Sequence, residues 1–215
     1  MKGPSILLRL GEKEAKVEVL AEEVMRSMEL LRELLDGVSS PNPRVRFESV
    51  KVLRIVSERD PEMLYSSWEF FVKLLDNENR ILKWNALDII ADLTRVDSQG
   101  KFDRLFRKFY GYLYDGSLVT AAHVVDNSAK IALAKPELQD EIIRRLLKVE
   151  EISLPTEECR NILIGKAIGA FESFCDKIKN KDEVVSFVRR QLNNSRNATR
   201  RKAEKFLKSK VGEMS

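Results

Sequence analysis

Apolar residues recur at helical intervals along most of the chain. Phe102, Leu105, Phe106, Phe109 and Leu113 fall at i, i+3, i+4, i+7 and i+11, which is one stripe of a helix. Leu82, Ala86, Ile89, Ile90 and Leu93 repeat the arrangement. Sustained alternation of period two, the mark of a half-buried strand, is absent, so the pattern predicts no sheet.

The helix breakers agree with the stripes. Asn42-Pro43 and Asp60-Pro61-Glu62 each place a capping side chain ahead of a proline at the first helical position. Pro136 and Pro155 are read in the same role, with Glu137 and Glu157-Glu158 adding negative charge to a first turn. Gly37 follows a long helical run and is read as the residue just past its end. About ten helices result. Five first helices cover roughly 12–36, 61–75, 101–115, 137–148 and 181–192, and five second helices cover roughly 43–59, 80–95, 117–134, 157–178 and 197–210. The connectors are short, so successive helices are expected to pack antiparallel.

The pairs repeat. LLDNENRILKWNALDIIADL, starting at residue 74, rewrites the stretch that starts at residue 34, LLDGVSSPNPRVRFESVKVLRIV. Arg46-Phe47 lines up with Lys83-Trp84, Val50 with Leu87, and Leu53 with Ile90, at a period of about 37–39 residues. Weaker copies follow Asp115-Gly116 and Leu192-Asn193-Asn194. Two helices per unit at a period near 40 is the signature of an α-solenoid, in which no pair buries both its apolar faces alone and stacking supplies the core. The expected fold class is therefore all-α, an α-α superhelix of about five helix pairs over residues 12–210. Residues 1–11 are read as an N-terminal extension and 211–215 as a disordered tail, with the long opening helix and the charged last helix as caps.

Composition narrows the function classes. Of 215 residues, 43% are hydrophobic and 33% charged, a globular balance, and 38 bases against 34 acids leave only +4. The charge is uneven, however. Residues 12–36 hold eight acids and four bases, whereas 189–210 hold nine bases against Glu204 alone. The N-terminal MKGPSILLRLG has an apolar run of only about five residues, short of the roughly 7–15 of a secretory leader, and no apolar stretch approaches the roughly 20 needed to span a bilayer. A cytoplasmic protein without a membrane anchor is expected, and the glycosylation patterns at Asn193 and Asn197 are read as chance. Cys159 and Cys175 stand sixteen apart in one expected helix. That is about 24 Å of rise, so they are read as free, buried thiols.

Known catalytic patterns are missing. One histidine, His123, and two distant cysteines offer no zinc-ligand set. There is no G-x-G-x-x-G, no Walker loop and no nucleophile elbow. Neither an enzyme activity nor a cofactor or metal is expected.

Leu34-Leu35-Asp36 with Val45-Arg46, and Leu74-Leu75-Asp76 with Leu82-Lys83, resemble HEAT repeats of the armadillo-type superhelix family. The resemblance implies a binding scaffold whose second helices line a concave face and meet a protein partner. Under it, the candidate partner-binding residues are Glu48, Lys51, Asn85, Asp88, Asp92, His123, Asp126, Lys130, Lys166 and Glu172. Two other features lie on that path: Trp84, and Gly165 with Gly169 in GKAIG, where small size admits either a neighbouring helix or a ligand. An alternative reading gives the basic C-terminal segment, Arg189, Arg190, Arg196, Arg200, Arg201, Lys202, Lys205, Lys208 and Lys210, to nucleic acid. A third rests on a partial likeness to HEAT-like alkylpurine DNA glycosylases, carried by Trp84 and Asp88 one turn apart. Where that constellation wants a basic residue one repeat later, this chain has His123.

Overall fold

A computed structural model describes residues 5–14 and 16–210. These contain thirteen α-helices, joined by short 3-10 turns, and no strand. They divide between Gln99 and Gly100 into two compact units.

The first unit holds α1 (Ile6–Gly11), α2 (Val17–Val24), α3 (Met28–Gly37), α4 (Pro43–Arg59), α5 (Pro61–Tyr65), α6 (Trp68–Leu74) and α7 (Arg80–Leu93). Pro43 sets the start of α4, with the Asn42 side chain accepting from the Arg44 N–H. Asn79 caps α7 by accepting from Ile81 and Leu82. The second helices α4 and α7 pack against each other, α4 also meets α2 and α3, and α7 meets α5 and α6. Val50 and Leu53 of α4 and their repeat counterparts Leu87 and Ile90 of α7 are all fully buried. The sequence register is therefore the packing register.

Four details differ from the sequence reading. The described part of the stretch 1–11 is not a loose extension: α1 packs on α3 and α4 and buries Ile6 and Leu10 completely. The single helix expected over 12–36 is two, because Ser27 turns the chain and its hydroxyl accepts from the Leu30 N–H to start α3. The helix expected over 61–75 likewise breaks at Ser66-Ser67. Gly37, read as a residue past a helix end, is the last residue of α3 and has no positive φ. A Cβ there would lie 2.4 Å from the Ser49 hydroxyl and 2.6 Å from a Leu7 methyl. The missing side chain lets α1, α3 and α4 meet closely.

The second unit holds α8 (Lys101–Gly111), α9 (Leu118–Ala134), α10 (Gln139–Leu147), α11 (Glu157–Phe174), α12 (Asp182–Arg190) and α13 (Asn197–Lys210). The second helices lie in file, α9 on α11 and α11 on α13, while α10 meets α9 and α12 meets α13. The α8 stripe is buried as read, with Phe102 edge-on to Phe109 at 5.4 Å and Tyr110 donating to Ser128 of α9 at 3.1 Å. Burial pushes the Tyr110 phenol far above its ordinary pKa, so it stays a neutral donor. Pro155 does not open α11. It stands one residue before Thr156, the cap whose hydroxyl accepts from the Cys159 N–H. Both cysteines are free, as read. Only Cys175 is buried, which raises its thiol pKa, whereas Cys159 is half-exposed. Residues 211–215 lie outside the described part of the chain.

Candidate functional site

Ten residues were singled out on the second helices, and the structure keeps nine at the surface. The exception is Asp92. It is 3% exposed, and its carboxylate accepts from the Ser57 hydroxyl at 3.1 Å across α4 and α7. Helical spacing alone cannot separate it from Asp88 one turn earlier, but the packing of α4 on α7 covers one and not the other. Arg95, just past α7, completes the same contact from outside by donating to the Ser57 and Glu58 carbonyls at 2.8 and 2.6 Å. This corner is structural.

In the first unit the remaining positions form repeat-related pairs, Glu48 with Asn85 and Lys51 with Asp88, each 37 residues apart. Glu48 and Lys51 make a loose ion pair at 3.6 Å, and the Asn85 amide donates back to the Ile81 carbonyl at 2.8 Å. Trp84 is half-buried one turn before Asp88, while Trp68 is 2% exposed and edge-on to Tyr65.

In the second unit, His123, Asp126 and Lys130 lie on α9, and Lys166 and Glu172 on α11. Asp126 and Lys166 pair between these helices at 2.5 Å. Glu172 reaches the next helix, pairing with Lys205 of α13 at 2.8 Å. Residues assigned from sequence to two different surfaces therefore share one. Gly165 answers the question its small size raises. The Thr199 hydroxyl would lie 2.9 Å from a Cβ there, and the Lys202 ammonium donates to the Gly165 carbonyl at 3.0 Å. The gap admits the neighbouring helix.

The basic segment is largely tied up within the unit. Arg190 pairs with Glu150 at 2.6 Å, Arg196 with Glu158 at 2.8 Å, Lys205 with Glu172, and Lys210 with Asp176 at 3.0 Å. Glu150 holds the Arg190 guanidinium above its ordinary pKa. Arg200 donates to the Asn194 and Ser195 carbonyls. Arg189, Arg201 and Lys208 are exposed. Each ion pair joins residues 33–40 apart, close to the repeat period, so every paired base answers an acid one repeat upstream. That spacing is readable in the sequence once each base is set against the residue one period upstream. Because these pairs are exposed, each contributes at most about 1 kcal/mol. Lys205→Ala is accordingly expected to shift the urea midpoint only slightly. A loss well above that ceiling would show a cooperative network.

The two units differ in charge. Residues 1–99 carry 15 bases and 18 acids, and residues 100–215 carry 23 and 16. Among the described residues, no three metal-ligating side chains converge, and no helix is long and apolar enough to cross a membrane.

No protein-family profile matches the sequence, and no curated protein does. Solved structures do match. One is a designed armadillo repeat protein, 16% identical, with a TM-score of 0.61 over 97% of this chain and 99% of its own. A second, solved in complex with the peptide (KR)4, has 16% identity and a TM-score of 0.65 over the same shares. An engineered protein from a structural genomics consortium reaches 0.57, at 16% identity over 99% of this chain and 98% of its own. The chain has an all-α repeat fold of the armadillo/HEAT type.

Proposed function

We propose that this chain is a non-enzymatic scaffold that binds a protein partner, as an extended segment, along the exposed face of its second helices. The observation that carries the reading is the packing of second helices side by side within each unit. It puts repeat-related polar positions such as Glu48 and Asn85 on neighbouring helices and brings Asp126 and Lys166 into contact. Such a face offers an extended surface to a chain laid across it, and a structural neighbour of this chain carries a peptide. Recognition of this kind needs no convergent acid–base pair. The two free thiols fit a reducing, cytoplasmic setting.

Capture from native lysate tests the reading when the face is altered. Lys51→Glu with Lys130→Glu changes the second helices, and Arg104→Glu with Arg107→Glu changes the exposed side of the first helix α8. A nuclease-resistant protein should be lost with the first variant and kept with the second. Loss with the second alone would place the partner elsewhere, and loss on nuclease treatment would make it a nucleic acid.

A further inference from the structure

In each unit one helix of the second-helix file has an exposed outer flank. In the first unit this is α2, which takes the place of a second helix against α4. Arg44 at the start of α4 donates to the Lys13 carbonyl just ahead of α2, and Arg59 at the end of α4 pairs with Glu22 of α2 at 3.6 Å, so the two helices run in the same direction. α2 buries Val17, Leu20, Ala21 and Val24. Its exposed side carries Glu18 and Val19, the valine 46% exposed, at a hollow of about 190 Å³ that Glu12, Glu14 and Lys16 also line. Arg9, at the same hollow, is held by Glu23. In the second unit the helix is α13, which buries Thr199, Ala203 and Phe206. It runs parallel to α11, since Glu158 pairs with Arg196 at one end and Asp176 with Lys210 at the other. Helical spacing puts Arg201, Glu204 and Lys208 on the flank away from those buried residues, and all three are exposed.

We propose that α2 of one copy docks on α13 of a second copy, so that copies of this chain join head to tail. The two flanks are complementary in pattern as well as in sign. Glu14, Lys16 and Glu18 read acid, base, acid, whereas Arg201, Glu204 and Lys208 read base, acid, base. None of these six has an ion-pair partner among the described residues. Their neighbours Glu22, Glu23, Lys205 and Lys210 are paired within the chain. A segment of one sign satisfies only part of either set and is repelled by the rest, whereas the second copy answers both signs. The packing is the step already present inside each unit, one helix laid parallel on the next, with Val19 closing against the aliphatic stems of Arg201 and Lys208. The excess of acids in residues 1–99 and of bases in residues 100–215 draws unlike ends together. Because the joint uses two different surfaces, a dimer keeps one free flank of each kind and assembly continues beyond it. This contact is separate from the face given to the protein partner above, and either can fail without the other.

Sedimentation velocity on the purified full chain tests this, over a concentration series at ionic strengths of about 0.05 M and about 0.5 M. At low salt the sedimentation coefficient is expected to rise with concentration, and at high salt to stay near the monomer value. Glu14→Lys with Glu18→Lys should weaken self-association by about tenfold or more, and so should Arg201→Glu with Lys208→Glu. An equimolar mixture of these two variants should associate again, because each offers the flank the other lacks. That recovery also shows that neither variant is misfolded. Arg104→Glu, on α8, should leave association unchanged. A chain that stays monomeric at low salt overturns the proposal. So does association that survives both reversals, that is lost with only one of them, as a joint between like flanks would be, or that fails to return on mixing while both variants keep the helical circular dichroism of the wild type.

Discussion

Asn161→Leu is expected to destabilise the chain by about 2 kcal/mol, although leucine is the better helix former and branches at the same carbon as asparagine. Asn161 lies on α11 and is 5% exposed. Its amide donates to the Ser195 hydroxyl at 2.8 Å, and its side-chain oxygen accepts from Asn194 at 3.0 Å. The Ser195 hydroxyl in turn donates to the Glu157 carboxylate at 2.9 Å, and Asn194 also donates to Gln191 at 2.9 Å. Gln191 in turn donates to Glu150, which holds Arg190. The Thr199 hydroxyl donates to the Asn161 backbone carbonyl at 2.8 Å. This chain of donors and acceptors fixes how α13 docks on α11. An apolar side chain at its centre breaks the path in both directions. Urea unfolding of wild type and variant measures the loss, and an unchanged or raised midpoint would show that packing alone sets the docking. The consequence reaches the surface, because Lys202 is one turn beyond Thr199 and its place over Gly165 depends on that register.

The same region shows where sequence reading succeeds and where it stops. The bounds of α4, α9 and α13 follow the expected ones within a residue, because Asn42-Pro43, Ser117 and the end of the apolar stripes are local signals. The break at Ser27 stayed hidden because apolar positions continue at helical spacing through it, from Leu20 and Val24 to Leu31 and Leu34, and a serine inside such a run resembles any polar surface residue. Asp92 was misplaced for a related reason. Its periodicity is that of the exposed face, and only the neighbouring repeat determines that it is covered. The polar network around Asn161 has no local signature, since its members are spread from Glu150 to Thr199 and meet only when two repeats stack. The acid–base partnerships were the exception. Their separation approximates the repeat period, so once the repeat is known, a base can be checked against the residue one period upstream.

Gly37 is the site of the largest expected loss. Gly37→Leu should destabilise the chain by about 3 kcal/mol or more, because the new side chain has to enter the contact of α3 with α1 and α4. Gly37→Ala is the sharper probe. Alanine gains up to about 1 kcal/mol of helix propensity over glycine, so any net loss is a lower bound on the clash. Of the two atoms met below 3.0 Å, the Leu7 methyl ends a flexible side chain and can move aside. The Ser49 hydroxyl is fully buried and, among the described residues, has no hydrogen-bond partner. Ser49→Ala alone is therefore expected to be neutral or stabilising, since an unsatisfied buried hydroxyl is removed. In the Gly37→Ala background it should recover much of the loss, a coupling of about 1 kcal/mol between residues twelve apart in sequence. Gly37→Asn separates this account from the helix-end reading. A left-handed position past a helix would accept asparagine better than alanine, whereas a packing glycine rejects the bulkier asparagine more strongly. Asparagine tolerated better than alanine, or no coupling to Ser49, would return Gly37 to the role of a helix terminator.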